Sequence, residues 1–275
     1  MTAPRGLTVA GLDVSGGAGL GADMKMFEEY GVFSAAVITC VVTFDPDNGF
    51  YHSAEFQDPD FIRQQLDSTL AIHDYDVIKS GMVGSVDSAL VLADRLKNNH
   101  LPYVFDPVLV CKGTGSMVDL KDLFIENLVP LATVITPNLE EAATLVGAAE
   151  LTNVDEMAEA AKAIHAMGAD NVVVKGGARL DTDEAIDVLY DGETLTTFSS
   201  KKITNDLVNG AGCSFAAAIA AGLATGLSVP EAVRKSKETV AHGIAAAVPN
   251  ATGVGSLLHP AARCYRHEGI VVEQH

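Results

Sequence analysis

The sequence predicts one α/β domain with a largely parallel sheet, spanning residues 1–275. Apolar runs of strand length alternate with amphipathic segments of helix length, and this strand–helix–strand order implies right-handed crossovers. Hydrophobic residues make up 48% of the chain and charged residues 20%, which is enough apolar material for a large core. Because no repeat, low-complexity linker or shift of composition divides the chain, we expect a single domain.

The expected elements follow one another in a regular order. Strands are predicted at residues 7–12, 33–42, 77–80, 103–106, 133–136 and 171–175. Helices are predicted at residues 20–30, 59–72, 86–97, 139–146, 154–167, 213–225 and 230–247. Asp191-Gly192, between two β-rich runs at residues 185–190 and 194–198, is the strongest hairpin signal in the chain. Ligands of parallel sheets bind beyond the carboxyl ends of the strands, so the residues that follow strands are the candidates for a site.

The charge balance excludes some classes of partner. The chain has 18 basic and 36 acidic side chains, for a net charge of −18. A nucleic-acid-binding protein needs a basic surface to neutralise phosphates, and binding to anionic lipid needs the same. We therefore expect no nucleic-acid or membrane partner, and an anionic substrate would have to be held by backbone amides or by a few lysines.

The cysteines point to a reducing compartment. The four cysteines, Cys40, Cys111, Cys213 and Cys264, show no C-x-x-C spacing, which is not typical of a zinc site or a disulfide framework. The first residues contain no long apolar run that would indicate a signal peptide, and no apolar stretch is long enough to span a bilayer. We expect a cytoplasmic protein.

The first motif is a glycine-rich loop at residues 11–23, between the first strand and the first helix. Its glycines let the backbone approach a ligand closely, and the start of a helix favours an anion. Within it, Gly17-x-Gly19-x-x-Ala22 also matches the dinucleotide-binding fingerprint, but no acidic residue ends the second strand about 20 positions later. A tight turn without function is the alternative interpretation of such a loop.

The best candidate for a phosphate-binding site is Asn209-Gly210-Ala211-Gly212-Cys213, which runs into an alanine-rich helix. The chain has no Walker loop, so an ATP site would need this other arrangement of free N–H groups. Cys213 falls in the first helical turn, where the helix dipole is expected to lower the pKa of a thiol from about 8.5. A thiolate there could take a proton from a substrate hydroxyl; the alternative is a buried structural cysteine.

Three further strand ends carry polar side chains. Asp106 ends one strand, a usual place for a metal-associated carboxylate, and Cys111 follows in a glycine-containing segment that suggests a mobile flap. Asn138 and Glu141 follow the next strand. Asn138 either caps the helix that begins there or faces the cleft, where the carboxylates of Asp106 and Glu141 would hold Mg²⁺ through water. Lys175 ends another strand, from which a lysine can reach a phosphate.

As a set, these motifs resemble the vitamin kinases of the ribokinase superfamily, which includes hydroxymethylpyrimidine kinases and pyridoxal kinases. They occur in the same order: residues 11–23, Gly81-Met82, Asp106-Pro107-Val108, Thr136-Pro137-Asn138 with Glu141, Lys175-Gly176-Gly177 and Gly210-Ala211-Gly212-Cys213. The resemblance covers about residues 7–265. It implies a ribokinase-like three-layer α/β/α fold with a mainly parallel central sheet and a mobile flap over the active site.

Within that family, the sequence looks most similar to the pyridoxal kinases of Gram-positive bacteria. Cys111 matches the flap cysteine that forms a hemithioacetal with the pyridoxal aldehyde in that group. Phe44 stands where hydroxymethylpyrimidine kinases usually carry a pyrimidine-binding glutamine, and the segment that begins at Asp187 resembles the pyridoxal-kinase hairpin. Two departures are Asn209, which replaces a common histidine, and Gly21, which replaces a common glutamine.

The resemblance implies an ATP- and Mg²⁺-dependent phosphorylation of the 5′-hydroxymethyl group of pyridoxal, as in vitamin B6 salvage. It makes Cys213 the general base and the amides of Gly210, Ala211 and Gly212 an anion hole, while Cys111 traps the aldehyde. The other implied roles are ring binding by Gly11, Asp23, Phe44, Met82 and Val108; ATP binding by Asn138, Lys175, Gly176, Gly177 and Asp187; and Mg²⁺ binding by Asp106 and Glu141.

Alternatives remain open at this level. One is a hydroxymethylpyrimidine (phosphate) kinase of thiamine synthesis, or an enzyme with both activities. Another is an oxidoreductase that binds a dinucleotide through Gly17-x-Gly19, and a third is a ligand-binding relative without catalytic activity. Because members of this family often pair, we also expect a homodimer.

Overall fold

The computed structural model describes residues 2–111, 115–116, 119–265 and 267–275, and for residues 110, 111, 115, 116 and 119 it describes the backbone alone. The strands are β1 (Arg5–Asp13), β2 (Phe33–Asp45), β3 (Tyr51–Phe56), β4 (Val77–Ser80), β5 (Tyr103–Phe105), β6 (Val110–Cys111), β7 (Gly115–Ser116), β8 (Val134–Ile135), β9 (Val172–Lys175), β10 (Glu184–Tyr190), β11 (Leu195–Lys201) and β12 (Glu273–Gln274). The helices are α1 (Gly19–Glu29), α2 (Pro59–Ile72), α3 (Val86–Lys97), α4 (Asp119–Asn127), α5 (Leu139–Val146), α6 (Val154–His165), α7 (Ala211–Ala224), α8 (Val229–Ala245) and α9 (Ala261–Cys264).

The described strands form one large sheet and one small hairpin. Ten strands pair in the order β12-β11-β10-β9-β8-β5-β4-β1-β2-β3, and β6 pairs with β7. The central strands from β2 to β9 run parallel, whereas β3 at one edge and β10, β11 and β12 at the other are antiparallel to their neighbours. The carboxyl ends of the parallel strands therefore meet at a single edge of the sheet, where sequence reasoning expects the site.

A hydrophobic core lies on each face of the sheet. Strand β5 shows the division, because Tyr103 and Phe105 pack on one side and Val104 between them packs on the other. The first core contains apolar side chains of α2 to α6, and the second contains those of α1, α7 and α8. The three-layer α/β/α fold with a mainly parallel sheet is thus confirmed.

Helix α7 is buried on all sides, and this fixes its first turn. Its residues from Ser214 to Gly222 are all buried, and most of them are alanine. The small side chains allow close packing: a Cβ added at Gly222 would lie 2.9 Å from the Cβ of Ala232 in α8. A helix held this tightly between the sheet and α8 presents its N-terminus at a defined position.

Most predicted elements occur at or near the predicted positions, including the hairpin at Asp191-Gly192 between β10 and β11. Sequence reasoning missed β3, α4 and β12. Strand β3 is a largely exposed edge strand without clear alternation of apolar residues. Helix α4 could have been predicted, since Leu120 and Phe124 are buried with the spacing of one helical face.

Among the described residues, the helices are too short or too polar for a bilayer-spanning segment.

The second core gives a direct test of the packing. Phe27 of α1 is fully buried, and a Cβ at Gly6 would lie 3.0 Å from its ring. We expect Phe27→Ala to lower the free energy of unfolding by about 3–5 kcal/mol, because it removes a large buried ring and leaves a cavity. Urea denaturation measures this. Phe61→Ala is the matched control, since the Phe61 side chain is 49% exposed; an equal loss in both variants would contradict the assignment of Phe27 to the core.

Candidate active site

A cavity of about 470 Å³ opens at the carboxyl edge of the sheet. It brings together residues that lie far apart in sequence: the predicted phosphate site at the start of α7 and the strand-end residues of the central strands. The predicted site residues in its lining are Asp106, Val108, Asn138, Glu141, Lys175, Gly176, Gly177, Asp187, Gly210, Ala211, Gly212 and Cys213. The structure thus gathers all the residues predicted to bind ATP, Mg²⁺ and the transferred phosphate.

The N-terminus of α7 has free amides that face this cavity. Gly210 is the N-cap residue, and no side chain caps the helix. The N–H of Ala211 donates to the carbonyl of Val208 at 3.3 Å, and the N–H of Ser214 donates to that of Gly210 at 2.8 Å. Among the described residues, the amides of Gly212 and Cys213 are left without an acceptor, as the first turn of a helix requires. They form the anion-binding position that the sequence predicts.

The glycine-rich first loop packs directly against this helix start. Gly210 has φ +82°, and a Cβ there would overlap the carbonyl oxygen of Gly17. A Cβ at Gly17 would in turn lie 2.6 Å from the side-chain amide nitrogen, Nδ2, of Asn209. Glycine at Gly19, with φ +56°, likewise avoids overlap with the carbonyl oxygen of Gly11. These glycines are required by backbone contact between the two loops.

Asn209 links the two loops. Its side-chain amide donates to Oδ2 of Asp13 at 3.3 Å, and its backbone N–H donates to the carbonyl of Gly255 at 2.8 Å. The other carboxylate oxygen of Asp13 accepts the N–H of Ser15 at 2.7 Å. The residue that departs from the family pattern therefore keeps a defined hydrogen-bonding role beside the phosphate site.

The thiol of Cys213 lies half-buried in the cavity wall and accepts a hydrogen bond from the N–H of Gly19. Burial raises the pKa of this thiol to about 11. The positive charge of Lys79 acts in the opposite direction, and so does the Gly19 amide, but both are outweighed. The expected lowering of the Cys213 pKa by the helix dipole is therefore wrong for the free protein, because desolvation dominates.

Asp106 and Lys175 form an ion pair on the floor of the cavity. The Lys175 ammonium lies 2.7 Å from Oδ1 of Asp106, and the hydroxyl of Thr136 donates to the same oxygen at 3.2 Å. Burial alone raises the pKa of Asp106, but the charges of Lys175 and Lys79 outweigh it, so the pKa lies below its ordinary value. Asp106 is therefore an anion at neutral pH.

Asn138 and Glu141 form a capping box at the start of α5. The Asn138 side chain accepts the N–H groups of Glu140 and Glu141, and the Glu141 carboxylate accepts the N–H of Asn138 at 2.9 Å. The capping role of Asn138 is confirmed, and both residues also line the cavity. Burial raises the pKa of Glu141 to about 7, and the negative charge of Asp106 adds to this while Lys175 opposes it.

The donor set fits a Mg²⁺ ion that is held mainly by phosphates and water. Asp106 and Glu141 both line the cavity, and the part of the chain that the structure describes contains no cluster of three or more His, Cys, Asp or Glu side chains suited to a metal. Mg²⁺ commonly takes only one or two carboxylates and completes its octahedron with water and substrate phosphates. Two carboxylates beside an anion-binding helix start meet that requirement.

The far wall of the cavity is formed by β9, β10 and α8. Oδ1 of Asp187 accepts the N–H of Gly176 at 3.2 Å, and its other oxygen accepts the Lys237 ammonium of α8 at 2.8 Å. Val240 and Ile244 add apolar surface from the same helix. Asp187 and the last long helix thus lie beside the cavity, as expected, and the Asp187 carboxylate is paired with the Lys237 ammonium.

Most of the residues predicted to bind the ring lie outside the lining of this cavity. Gly11 and Met82 meet at the buried Cys40: a Cβ at Gly11 would lie 2.6 Å from the Cys40 sulfur and 2.9 Å from Cε of Met82. Phe44 lies further along β2, with its ring 4.5 Å from that of His52. None of these is among the described residues that line the cavity, whereas Val108 is.

Asp23 occupies a different position from the one expected. Its carboxylate is fully buried, with both oxygens 2.9–3.0 Å from the Lys79 ammonium, and the hydroxyl of Thr8 donates to Oδ2 at 2.6 Å. The structure thus places Asp23 beneath the site as an ion-pair partner, with no part of its side chain exposed to a ring. Its predicted contact with the ring gains no support from this geometry.

The predicted flap cysteine, Cys111, belongs to the hairpin of β6 and β7, where its backbone pairs with Gly115. Its side chain and residues 112–114 lie outside the described residues, so its role and the mobile flap stay predictions.

Sequence reasoning missed the two lysines that neutralise the buried carboxylates of the site. Lys79 pairs with Asp23 and Lys237 with Asp187. The signal for Lys79 was available, since a lysine inside the short apolar strand β4 must be buried and buried lysines need a partner. Lys237 lies on a helix with many polar residues, where its sequence gives no such signal.

The chain matches the family described as phosphomethylpyrimidine kinase over residues 13–258. The pyridoxine kinase of Bacillus subtilis is 43% identical over 96% of this chain and 98% of its own length. The chain belongs to the phosphomethylpyrimidine kinase family. Family membership confirms the resemblance to vitamin kinases and contradicts the dinucleotide-dependent oxidoreductase.

Solved structures of this family agree with the fold. The pyridoxal kinase of Staphylococcus aureus, in complex with AMP-PCP and pyridoxal, superposes with a TM-score of 0.93 at 35% identity, covering 100% of this chain and 99% of that one. The phosphomethylpyrimidine kinase of Clostridium difficile gives a TM-score of 0.74 at 31% identity, covering 88% of this chain and 99% of that one.

The contact between the two loops predicts the effect of a single methyl group. Gly210→Ala should lower the phosphoryl-transfer rate at least about tenfold, because the new Cβ overlaps the Gly17 carbonyl and displaces the anion-binding amides. Gly226→Ala is the matched control: it also has positive φ, at +89°, but its Cβ would meet nothing within 4 Å. The Gly226→Ala substitution should lower the free energy of unfolding only through backbone strain, by about 1–2 kcal/mol. Equal rates in the two variants would refute the importance of the contact.

The raised pKa of Glu141 predicts a pH-dependent stability. A carboxyl group with a folded-state pKa of about 7 stabilises the fold below its unfolded pKa and loses this contribution as the pH rises to about 7. We expect Glu141→Gln, which keeps the capping box, to gain roughly 2 kcal/mol relative to the native chain between about pH 5 and pH 8. Urea denaturation at both pH values measures this. The exposed Glu140→Gln serves as control, and a gain of the same size there would contradict the role of Glu141 burial.

Proposed function

We propose that this protein transfers the γ-phosphoryl group of ATP to the 5′-hydroxymethyl group of pyridoxal. The observation that carries the proposal is the uncapped start of α7, where free amides and the thiol of Cys213 face a cavity that also contains Asp106, Glu141 and Lys175. The similarity to a pyridoxine kinase and to a pyridoxal kinase over nearly the whole chain supports the choice of substrate.

The start of α7 holds the transferred phosphoryl group. The amides of Gly212 and Cys213 donate to its oxygens. The amides of Gly210 and of Ala211, whose N–H donates to the Val208 carbonyl at 3.3 Å in the free protein, complete the anion hole. The positive end of the helix dipole stabilises the charge of the transition state. Lys175, at the end of β9, adds to this stabilisation, since its ammonium lies 3.5 Å from the position of a Cβ at Gly212. Catalysis of this kind rests mainly on position and charge.

Cys213 accepts the proton of the substrate hydroxyl. In the free protein its pKa of about 11 keeps it a thiol at neutral pH, so the thiolate is a minor species that the site must stabilise. The hydrogen bond from Gly19 and the charge of Lys79 both favour the thiolate. Loss of bulk water on substrate binding strengthens each of these interactions.

Asp106 and Glu141 hold Mg²⁺ with ATP. The ion, when bound, neutralises phosphate charge and orients the β- and γ-phosphates. Asp106 is already ionised in the free protein, while Glu141 is half protonated near pH 7. Lys175 is paired with Asp106 in the free protein, with its ammonium 2.7 Å from Oδ1 of that carboxylate.

The remaining cavity lining binds the nucleotide. Asn138, Gly176 and Gly177 lie at the ends of β8 and β9, and Asp187 fixes the Lys237 side chain against α8. Gly11, Phe44 and Met82, which lie outside the lining of this cavity, bind the pyridoxal ring together with Val108, which is part of the lining, and Cys111 closes over the aldehyde.

The proposal includes a cytoplasmic homodimer. Cys213 and Cys264 are free thiols, which suits a reducing compartment. Strand β3 ends the described sheet, and Phe56 on it is 36% exposed, so a second copy could pair along that edge.

A hydroxymethylpyrimidine or phosphomethylpyrimidine kinase is the second candidate, because the matching family carries that description. The solved structures favour pyridoxal: the TM-score is 0.93 against the S. aureus pyridoxal kinase and 0.74 against the C. difficile phosphomethylpyrimidine kinase.

The decisive experiment compares kcat/KM for pyridoxal and for hydroxymethylpyrimidine on one preparation with ATP and Mg²⁺. We expect pyridoxal to be preferred, and Cys213→Ala to lower kcat at least about 100-fold with a smaller change in the KM for ATP. Cys264→Ala is the matched control, because Cys264 is exposed and outside the cavity lining. A preference for hydroxymethylpyrimidine would establish the second candidate, and no turnover of either would indicate a binding protein.

A further inference from the structure

Lys79 and Asp23 form an ion pair with no exposure to solvent. Both side chains are fully buried, and the ammonium lies 3.0 Å from Oδ1 and 2.9 Å from Oδ2 of the carboxylate. The Thr8 hydroxyl donates to the same carboxylate at 2.6 Å. The pair joins β4 to α1, next to Gly81, where a Cβ would lie 3.0 Å from the Lys79 nitrogen.

Stability alone is a weak reason for such a pair. Two charges lose their hydration on burial, and replacement of a buried ion pair by apolar residues of similar size is often neutral or stabilising. The protein nevertheless places the pair in the layer between the sheet and α1, where apolar side chains such as Met26 and Phe27 would fill the space equally well. A role in the chemistry explains the charges better.

The pair lies in the same layer as α7, since Lys79 and Val77 point to one face of β4, the face of the core that contains α7, and Ile78 points to the other. Gly19, whose N–H donates to the Cys213 sulfur, is the first residue of α1. Asp23 follows four residues later, on the same face of that helix. Helix α7, which carries Cys213 in its first turn, packs against both α1 and β4, the two elements that carry the ion pair.

The charges that act on Cys213 come from four elements. Lys79 on β4 favours the thiolate, and Asp23 on α1 and Asp106 after β5 oppose it. Lys175 at the end of β9 also interacts favourably with a negative sulfur. Burial has the largest effect on the thiol and raises its pKa. The charge of Lys79 has the next largest effect, and it is the strongest of those that favour the thiolate.

We propose that Lys79 is a positioning residue for phosphoryl transfer: Asp23 holds its ammonium group near Cys213, and the fixed positive charge stabilises the catalytic thiolate. The inference rests on the proposed function in assigning Cys213 as the base. In that step the substrate hydroxyl gives its proton to the thiolate sulfur. Its oxygen bonds to the γ-phosphorus as the bond from phosphorus to the bridging oxygen breaks and ADP leaves. The thiol then returns the proton to solvent.

The experiment measures the reactivity of Cys213 without any substrate. Iodoacetamide reacts with the thiolate, and mass spectrometry of the Cys213 peptide gives the alkylation rate from about pH 7 to pH 10. Lys79→Met should slow alkylation about tenfold at about pH 8, which corresponds to a rise of about one pH unit in the thiol pKa. Asp23→Asn removes the partner that holds the ammonium group, and a fully buried lysine without a counterion favours its neutral form, so alkylation should slow in this variant too.

The double variant Lys79→Met with Asp23→Leu separates charge from structure, because apolar residues of similar size often replace a buried ion pair without loss of stability. A merely structural ion pair would give the native alkylation rate in the folded double variant, whereas the loss of the Lys79 charge should keep alkylation slow. Thr8→Val is the matched control, since it removes a hydrogen bond to Asp23 without changing any charge, and it should react at the native rate. Thermal unfolding of each variant identifies one that does not fold, and the double variant remains informative if Lys79→Met fails. A native rate in folded Lys79→Met or in the folded double variant would overturn the proposal.

Kinetics complete the test and separate it from the proposed function. Lys79→Met should lower kcat about tenfold at neutral pH, shift the rising limb of the kcat–pH profile to higher pH, and change the KM for ATP less than about twofold. If the native chain does not phosphorylate pyridoxal but the alkylation rates change as expected, the proposed function is wrong and the role of Lys79 stands. If the native chain phosphorylates pyridoxal and the alkylation rates do not change, the role of Lys79 is wrong and the proposed function stands.

Discussion

The site depends on direct backbone contact between two glycine loops that are almost 200 residues apart in sequence. Gly210 at the start of α7 lies against the carbonyl of Gly17, and Gly19 lies against that of Gly11. Side chains at these positions would push the loops apart. Because the loops touch, the amide of Gly19 reaches the Cys213 sulfur, and the first turn of α7 faces the cavity at a fixed distance from the carboxyl ends of the central strands.

The second constraint is the neutralisation of buried charge. The carboxylates Asp23, Asp106 and Asp187 each lie within 3.0 Å of a lysine ammonium, from Lys79, Lys175 and Lys237 respectively. In a chain with a net charge of −18, an anionic nucleotide can enter only where positive charge is concentrated. The uncapped helix start and these lysines supply it. Glu141, which has no such close partner of its own, responds to burial by a raised pKa.

Much of the fold could be predicted from the sequence, because parallel strands that are buried on both faces read as short apolar runs with turn residues after them. Helices α2, α3 and α5 and strand β4 have the predicted bounds. Edge strand β3 could not be read in the same way, since its side chains are mostly exposed and its pairing with β2 is a tertiary interaction. The phosphate-binding glycines and Cys213 were identifiable because their chemistry depends on local sequence: a small-residue turn before a helix.

The sequence by itself determined the α/β layering, the glycine-rich start of α7 and the family of the protein, because these follow from hydrophobic periodicity and from local motifs. The tertiary structure alone decided the protonation of the site. Burial raises the pKa of the Cys213 thiol, and Asp23 pairs with Lys79 with its side chain fully buried. Such effects depend on which groups lie behind a residue and how much water remains, and neither is encoded in the neighbouring sequence.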